Sequence, residues 1–394
     1  MPQHHESWAC WKDAITTVST VIAIASLYYA YKKSNTLTDL SPPKNGVEEL
    51  IGNTPMVLIP SLSKFTRCKI YAKLELANPA GSAKDRVALN IVTTAESQGL
   101  LTRGHRDVIF EGTSGSTGIS IATICNALGY QSHISLPDDT SQEKLSMLEC
   151  LGAHIRKVKP ASIVDPNQYV NASKKACQLL NEEGHGNKGI FADQFENEAN
   201  WAIHYSTTGP EIYKQLKGSV DVFVAGCGTG GTIAGVSRYL KEKLGNRVKT
   251  VLADPQGSGF YNRIKFGVMY DQVEKEGSRR RHQVDTIVEG IGLNRITKNF
   301  QRGERYIDDA VRVTDEQAIK MAKYLSVNDG LFIGSSTAIN AVAAAKIAQE
   351  MKPGSVIVLI ACDSGARHVS KFWKEASAVS NEIQLCDILD FSVA

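Results

Sequence analysis

A short glycine-rich segment, Gly226–Thr232 (GCGTGGT), lies between an apolar run and a helical pattern and has the composition of an anion-binding loop. Small residues let backbone N–H groups approach an anion closely, and a helix N-terminus adds a favourable dipole. Thr229 and Thr232 can also donate hydroxyl hydrogen bonds to phosphate oxygens. The segment lacks the Gly-Lys-Ser/Thr of a P-loop and a ribose-binding acid at the distance of a dinucleotide fingerprint. It therefore predicts a phosphate monoester site, with an unliganded turn as the alternative.

A second segment, Asn78–Arg86 (NPAGSAKDR), runs from a predicted strand into a predicted helix and carries a lysine at the helix start. Taken alone, Lys84 is more simply interpreted as a charged surface lysine than as a functional residue. A lysine that forms a Schiff base must be neutral and lie beside its cofactor, and the electropositive end of a helix favours a neutral amine. Lys84 is therefore a candidate nucleophile only in combination with other features.

A third segment, Glu111–Gly118 (EGTSGSTG), again follows a predicted strand and precedes a helix. Its hydroxyls and free N–H groups suit a small carboxylate, although an elaborate N-cap would have the same composition. The three segments together offer an amine, a phosphate cradle and a carboxylate cradle. An enzyme that uses pyridoxal 5'-phosphate (PLP) to process amino acids requires this combination, and no one segment would be sufficient.

Short apolar runs alternate with helical patterns along most of the chain, and these elements must position the three segments. This alternation predicts an α/β fold with parallel-rich sheets covered by helices, whose ligands collect at the carboxyl ends of the strands. The predicted strands are Lys69–Leu74, Asp107–Phe110, His133–Leu136, Val220–Ala225, Lys249–Ala253 and Val356–Ala361. The predicted helices are Lys84–Gln98, Thr117–Leu128, Ser141–Leu151, Thr232–Leu244 and Thr337–Glu350.

Charge and cysteine usage exclude several other classes of protein. A net charge of +3 on 394 residues does not indicate a nucleic-acid footprint. The eight cysteines form no Cys-x-x-Cys pair and have no histidine at zinc-ligand spacing. We therefore expect a reducing compartment, no disulfide framework and no metal site.

The N-terminus differs from the rest because Ala14–Tyr31 carries no charge and is followed by Lys32-Lys33. Its length just reaches the roughly 30 Å hydrocarbon thickness of a bilayer, and aromatic residues lie near both ends. The pattern predicts one transmembrane helix that anchors a cytosolic catalytic part at the mitochondrial outer membrane, with the endoplasmic reticulum as the alternative location. An amphipathic or cleaved targeting peptide is the other interpretation.

Several motifs occur in the order found in cysteine synthases and cystathionine β-synthases, and the resemblance runs from about Glu48 to about Phe372. They are IGNTP at 51–55, NPAGSAKDR at 78–86, TSGSTG at 113–118, DQF at 193–195, GTGGT at 228–232 and DSG at 363–365. The resemblance implies a fold-type II PLP enzyme with two α/β domains, the cofactor in the cleft between them, and a homodimer.

The resemblance also implies a role for individual residues. Lys84 would bind PLP as a Schiff base and later remove the α-proton of the substrate. The cofactor phosphate would be bound by Gly228, Thr229, Gly230, Gly231 and Thr232. Ser335 would hydrogen-bond the pyridine nitrogen, and Gly290 would lie beside the amino acid. The substrate carboxylate would be held by Thr113, Ser114, Thr117 and Gln194.

Two features depart from the family pattern. Members usually have asparagine where this chain has Ser116, and that asparagine contacts the cofactor's ring hydroxyl and the substrate. Ser116 has a shorter side chain and would keep one contact with the cofactor, and activity or substrate preference would then differ. The stretch Gly257–Gln283 is longer and more charged than expected, and either reshapes the rim of the site or is an inert loop.

The resemblance implies synthesis of L-cysteine from O-acetyl-L-serine and sulfide. Cystathionine β-synthesis, a desulfhydrase or dehydratase reaction, and a degenerate PLP-binding interaction protein remain the alternatives. We expect residues 1–33 to be the membrane anchor, 34–45 a linker, 46–375 the catalytic domain and 376–394 a C-terminal tail.

Overall fold

The computed structural model describes residues 20, 22–31, 42–184, 186–271 and 286–389. The chain divides into two compact units, Met1–Asn45 and Gly46–Ala394. The second unit contains all the strands that the structure describes.

The predicted transmembrane helix falls in the first unit, and residues 14–19 and 21 of it lie outside the described residues. Residues 22–31 are helical. Ten helical residues rise only about 15 Å, half of the roughly 30 Å that a bilayer requires. No helix among the described residues is both long enough and apolar enough to cross a membrane. The prediction of an N-terminal transmembrane helix is therefore wrong.

Two sheets form the framework of the second unit. The larger has the strand order β1-β2-β10-β7-β8-β9, and only the β1–β2 pairing is antiparallel. The smaller has the order β5-β4-β3-β6 and is wholly parallel. The strands are β1 Met56–Leu58, β2 Lys69–Leu74, β3 Val108–Gly112, β4 Gln131–Pro137, β5 His154–Val158, β6 Gly189–Phe191, β7 Val222–Gly226, β8 Lys249–Pro255, β9 Asp309–Val313 and β10 Val356–Ala361.

Helices connect most of these strands and pack against the sheets. They are α1 Pro60–Thr66, α2 Lys84–Ser97, α3 Ser116–Leu128, α4 Gln142–Cys150, α5 Tyr169–Glu183, α6 Ala199–Ile203, α7 Gly209–Gln215, α8 Gly231–Leu244, α9 Phe260–Phe266, α10 Lys298–Gln301, α11 Asp315–Asp329, α12 Ser335–Glu350 and α13 Phe372–Ser377. A single π-helical turn, His204–Thr208, joins α6 to α7. The α/β, parallel-rich part of the fold prediction is thus confirmed.

The central strands are buried on both faces because helices cover the sheets. Every side chain of β10 after the first is buried, and every residue of β7 before the last is buried. Parallel strands of this kind are continuous apolar runs in sequence, as VIVLIA is in β10. This burial fixes the carboxyl ends of β2, β3, β7 and β10, from which the candidate site is built.

The segment expected to be a C-terminal tail contributes to the core of the larger sheet. Ile383, Leu385, Ile388 and Leu389 are each at most 8% exposed and belong to the same apolar cluster as α12 and β10. Residues 390–394 lie outside the described residues. In the stretch Gly257–Gln283, α9 is helical, whereas residues 272–283 lie outside the described residues.

Candidate active site

A cavity of about 430 Å³ is lined by the segments that follow β2, β3, β7 and β10. This volume lies within the range of small-molecule sites. Nine predicted site residues line it: Lys84, Thr113, Ser114, Ser116, Thr117, Gln194, Gly228, Thr229 and Gly290. Four predicted residues do not: Gly230, Gly231, Thr232 and Ser335. The structure therefore brings the three chemically suggestive segments together around one space.

Lys84 is the first residue of α2 and is half-buried at the cavity wall. Neither an ion pair nor a hydrogen bond of its side-chain amine is found in the part of the chain that the structure describes. The preceding loop is held by Asp85, which accepts from the Ala80 N–H at 2.7 Å and from the Ser120 hydroxyl at 2.6 Å. The amine of Lys84 is thus presented to the cavity by a fixed loop while remaining unpaired.

The glycine-rich loop connects β7 to α8 and leaves the N-terminus of α8 without a side-chain cap. Gly230 has a φ of 87°, a conformation that residues with a Cβ atom rarely adopt. The first N–H groups of a helix have no intrahelical acceptor, so this end of α8 can bind an anion. The Thr229 hydroxyl lies at the same end and lines the cavity.

The hydroxyl-rich loop ends at the N-terminus of α3, where Gly115 provides no side-chain cap. Thr117 donates to Oε1 of Gln194 at 2.6 Å, which joins two of the predicted carboxylate ligands. Ser116 donates to Oδ2 of Asp363 at 3.3 Å. The arrangement therefore leaves the free N–H groups of α3 as donors to a small carboxylate, with the two hydroxyls and the Gln194 amide beside them.

Ser335 is fully buried at the start of α12, and its Oγ accepts from the backbone N–H of Glu289 at 3.0 Å. The hydroxyl proton remains available to another acceptor, because a hydroxyl both donates and accepts. Ser335 lies behind the cavity wall rather than in it.

A chain of interacting polar side chains lines the cavity, and the sequence did not predict their association. Lys144 on α4 pairs with Glu289, and the imidazole of His368 lies 3.5 Å from Glu289 and 3.1 Å from Asp363. Burial alone would raise the pKa of Glu289, but Lys144, His368 and Lys371 outweigh it and hold the pKa below its ordinary value. Asp363 belongs to the DSG motif at 363–365, but Lys144, Glu289 and His368 lie in segments that are distant in sequence, and no local motif marks Lys144 or His368.

The chain matches the family "Pyridoxal-phosphate dependent enzyme" over residues 47–363. It is 66% identical over 380 residues to a Saccharomyces cerevisiae protein named "Putative mitochondrial cysteine synthase", covering 96% of each chain. It is 54% identical to "Cysteine synthase 2" of Schizosaccharomyces pombe, covering 88% of each. Among solved structures, O-ureido-L-serine synthase superposes with a TM-score of 0.72 at 27% identity, covering 88% of this chain and 99% of the other.

The chain therefore belongs to the family of PLP-dependent enzymes. The residues in the cavity and directly behind its wall fit this cofactor. The unpaired amine of Lys84 can react with the aldehyde of the cofactor, and the uncapped N-terminus of α8 can hold its phosphate. The hydroxyl of Ser335 can donate a hydrogen bond to the pyridine nitrogen.

Proposed function

We propose that this chain is a cysteine synthase, which makes L-cysteine from O-acetyl-L-serine and sulfide. The observation that carries the proposal is the unpaired Lys84 amine, placed in a cavity between two uncapped helix N-termini. One terminus suits the cofactor phosphate and the other suits the substrate carboxylate. Relatives at 54% and 66% identity that are named cysteine synthases support this choice of reaction.

In the proposed mechanism, the bound cofactor supplies an electron-withdrawing ring that stabilises negative charge at the substrate α-carbon. Lys84 Nζ first holds the cofactor and, once released by the incoming amino acid, accepts the α-proton. Ser335 would donate a hydrogen bond from its hydroxyl to the ring nitrogen. Because this partner is neutral, the ring would withdraw less charge than a ring paired with a carboxylate. That balance would suit loss of acetate from the β-carbon. Sulfide would then add at the β-carbon, and Lys84 would return the proton to the α-carbon.

The remaining predicted residues bind and orient the two ligands. The phosphate is held by Gly228, Thr229, Gly230, Gly231 and Thr232. The substrate carboxylate is held by Thr113, Ser114, Thr117 and Gln194. Ser116 contacts the ring hydroxyl of the cofactor, and Gly290 lies beside the amino acid. The Thr117–Gln194 hydrogen bond supports the second assignment, because it fixes both side chains before substrate enters.

We extend the proposal to organisation and location. Residues 46–375 would form the catalytic domain of a homodimer, and residues 34–45 would be its linker to the N-terminal segment. The name of the Saccharomyces cerevisiae relative supports a mitochondrial location. Chemical cross-linking of the purified chain and fractionation of cells that express it test these two points.

The first experiment measures L-cysteine formation from O-acetyl-L-serine and sulfide, and cystathionine formation from serine and homocysteine. We expect the first reaction to dominate, and Lys84→Ala to abolish it together with the visible absorbance of the lysine-bound cofactor. Lys64→Ala is the matched control, because Lys64 is an exposed lysine on α1, and it should keep full activity. A Lys84→Ala enzyme with normal turnover, or a preference for serine and homocysteine, would contradict the proposal.

A further inference from the structure

Two fully buried polar side chains lie behind the glycine-rich loop and contact its threonines. Asn200 on α6 and His204 at the start of the π-helical turn are 1% and 0% exposed. They are four positions apart, so they lie on the same face of one helical run. Asn200 reaches the Thr229 hydroxyl at 2.9 Å, and His204 reaches the Thr232 hydroxyl at 3.2 Å.

The contacts of Asn200 settle which of its side-chain atoms faces Thr229. The same nitrogen that lies 2.9 Å from Thr229 Oγ1 lies 2.7 Å from the carbonyl oxygen of Gln194. A carbonyl can only accept, so this atom is the donor Nδ2. Thr229 must therefore accept from Asn200, and its own proton has no acceptor among the described residues. That proton is left for a ligand in the cavity.

The direction of the hydrogen bonds at His204 follows from Thr208. The Thr208 hydroxyl is fully buried and lies 2.9 Å from Nδ1 of His204, its one hydrogen-bond partner among the described residues. If Nδ1 donated to Thr208, the buried Thr208 proton would have no acceptor, which is costly. Thr208 therefore donates to Nδ1, and Nε2 donates to Thr232. Burial lowers the pKa of His204 to about 3, so the ring is neutral and carries one proton.

Gly231 allows Asn200 to lie directly against the loop. A Cβ atom at Gly231 would lie 1.9 Å from Oδ1 of Asn200, so only glycine allows the asparagine to approach. The two side chains are thus held against the back of the loop, whereas Thr229 lines the cavity on its front.

We propose that Asn200 and His204 are positioning residues that turn the hydroxyl protons of Thr229 and Thr232 toward a bound phosphate. The proposal rests on the phosphate site proposed above and adds two residues that do not themselves touch the cofactor. Because both threonines then present a donor before the ligand arrives, binding does not require the hydroxyls to reorient.

The test compares two ligands of the apoenzyme, PLP and pyridoxal, which lacks the phosphate. His204→Leu and Asn200→Leu should each weaken PLP about tenfold, the loss of one well-directed hydrogen bond to a charged group. Pyridoxal affinity should stay within about twofold in both variants. His204→Gln, which keeps a donor near the position of Nε2, should restore most of the affinity. A merely structural role would weaken both ligands equally, and that result would overturn the proposal.

Double variants separate this inference from the phosphate site itself. Thr232→Val and Thr229→Val should each weaken PLP and spare pyridoxal. Adding His204→Leu to the first, or Asn200→Leu to the second, should cause no further loss, because each residue acts through its threonine. Additive losses would refute the positioning role of Asn200 and His204 but would not contradict the phosphate site. Valine variants that bind both ligands as the parent does would refute the phosphate site. If His204→Leu does not fold, Thr208→Val removes the donor to Nδ1 and should give the same selective loss.

Discussion

Lys144→Met removes one partner of an ion pair that lines the cavity. Lys144 is 4% exposed on α4, next to the smaller sheet, and Glu289 lies in the segment between β8 and β9 of the larger sheet. The methionine keeps the length and the apolar stem of the lysine but leaves Glu289 without its nearest cation. We expect the variant to unfold at a lower urea concentration than the parent.

The size of the effect follows from the surroundings of Glu289. Removing one partner of a fully buried ion pair costs about 3–5 kcal/mol. Glu289 is 22% exposed and keeps an imidazole nitrogen of His368 at 3.5 Å and the Lys371 amine at 3.8 Å. These contacts and the partial solvation reduce the expected loss in the free energy of unfolding to about 2 kcal/mol at pH 7.

The pH dependence of this loss has a definite sign. The pKa of Glu289 in the folded protein lies below its ordinary value, so the pairing stabilises the fold at neutral pH. The contribution disappears as the pH falls through the folded pKa, where Glu289 becomes protonated. The difference between Lys144→Met and the parent should therefore shrink as the pH falls below the ordinary pKa range of a glutamate.

Urea unfolding of the holoenzyme followed by circular dichroism measures these differences, with Lys371→Met as the matched control. Lys371 approaches the same carboxylate but is 53% exposed, so its loss should cost less than about 1 kcal/mol. Glu289→Gln in the Lys144→Met background should restore part of the stability, because it removes the unpaired charge. The reasoning is refuted if the two lysine variants have equal stability, or if the double variant is less stable than Lys144→Met.

Three further predictions concern other buried groups. Arg86→Met should lower the free energy of unfolding by about 3–5 kcal/mol in urea, because it strands the fully buried Glu75 carboxylate. Thr117→Val should raise KM for the amino acid about tenfold in steady-state assays, because Gln194 loses the 2.6 Å hydrogen bond that orients its amide toward the carboxylate site. Burial raises the pKa of Glu111 to about 8, so the folded state becomes less stable as pH rises from about 4.5 to 8. Glu111→Gln should therefore stabilise the protein by about 3 kcal/mol in thermal or urea unfolding at pH 7, and not at pH 4.

The sequence predicts the central strands well, because burial on both faces leaves a continuous apolar run. The predicted bounds of β2 and β10 are those of the structure, and the other four predicted strands overlap β3, β4, β7 and β8. β5 (HIRKV) was missed because it is an edge strand whose side chains are exposed or half-buried. β1 and β6 have three residues each, too few to show a period.

The candidate site was predictable where its functional residues lie together in one short segment of the sequence. The glycine-rich loop and the Lys84 loop are each fewer than ten residues long, and each ends in a helix N-terminus that the sequence indicates. Asn200, His204 and Lys144 gave no such signal. Each acts through a partner that is distant in the chain, as Asn200 does through Thr229, 29 residues away. Only the packing of helices against the loops brings these pairs together.

Ser116 illustrates what residue type alone leaves undetermined. Burial would raise the pKa of Asp363, but His368 and Arg367 outweigh burial and keep it below its ordinary value, so Asp363 is ionised at neutral pH and can only accept. Ser116 must therefore donate to Asp363, which lies 247 residues away in the chain. Its oxygen can then offer the cavity a lone pair but no proton, whereas an asparagine amide would offer both. The ring hydroxyl of the cofactor would consequently have to donate the hydrogen bond to Ser116. This restriction follows from Asp363 rather than from Ser116 itself.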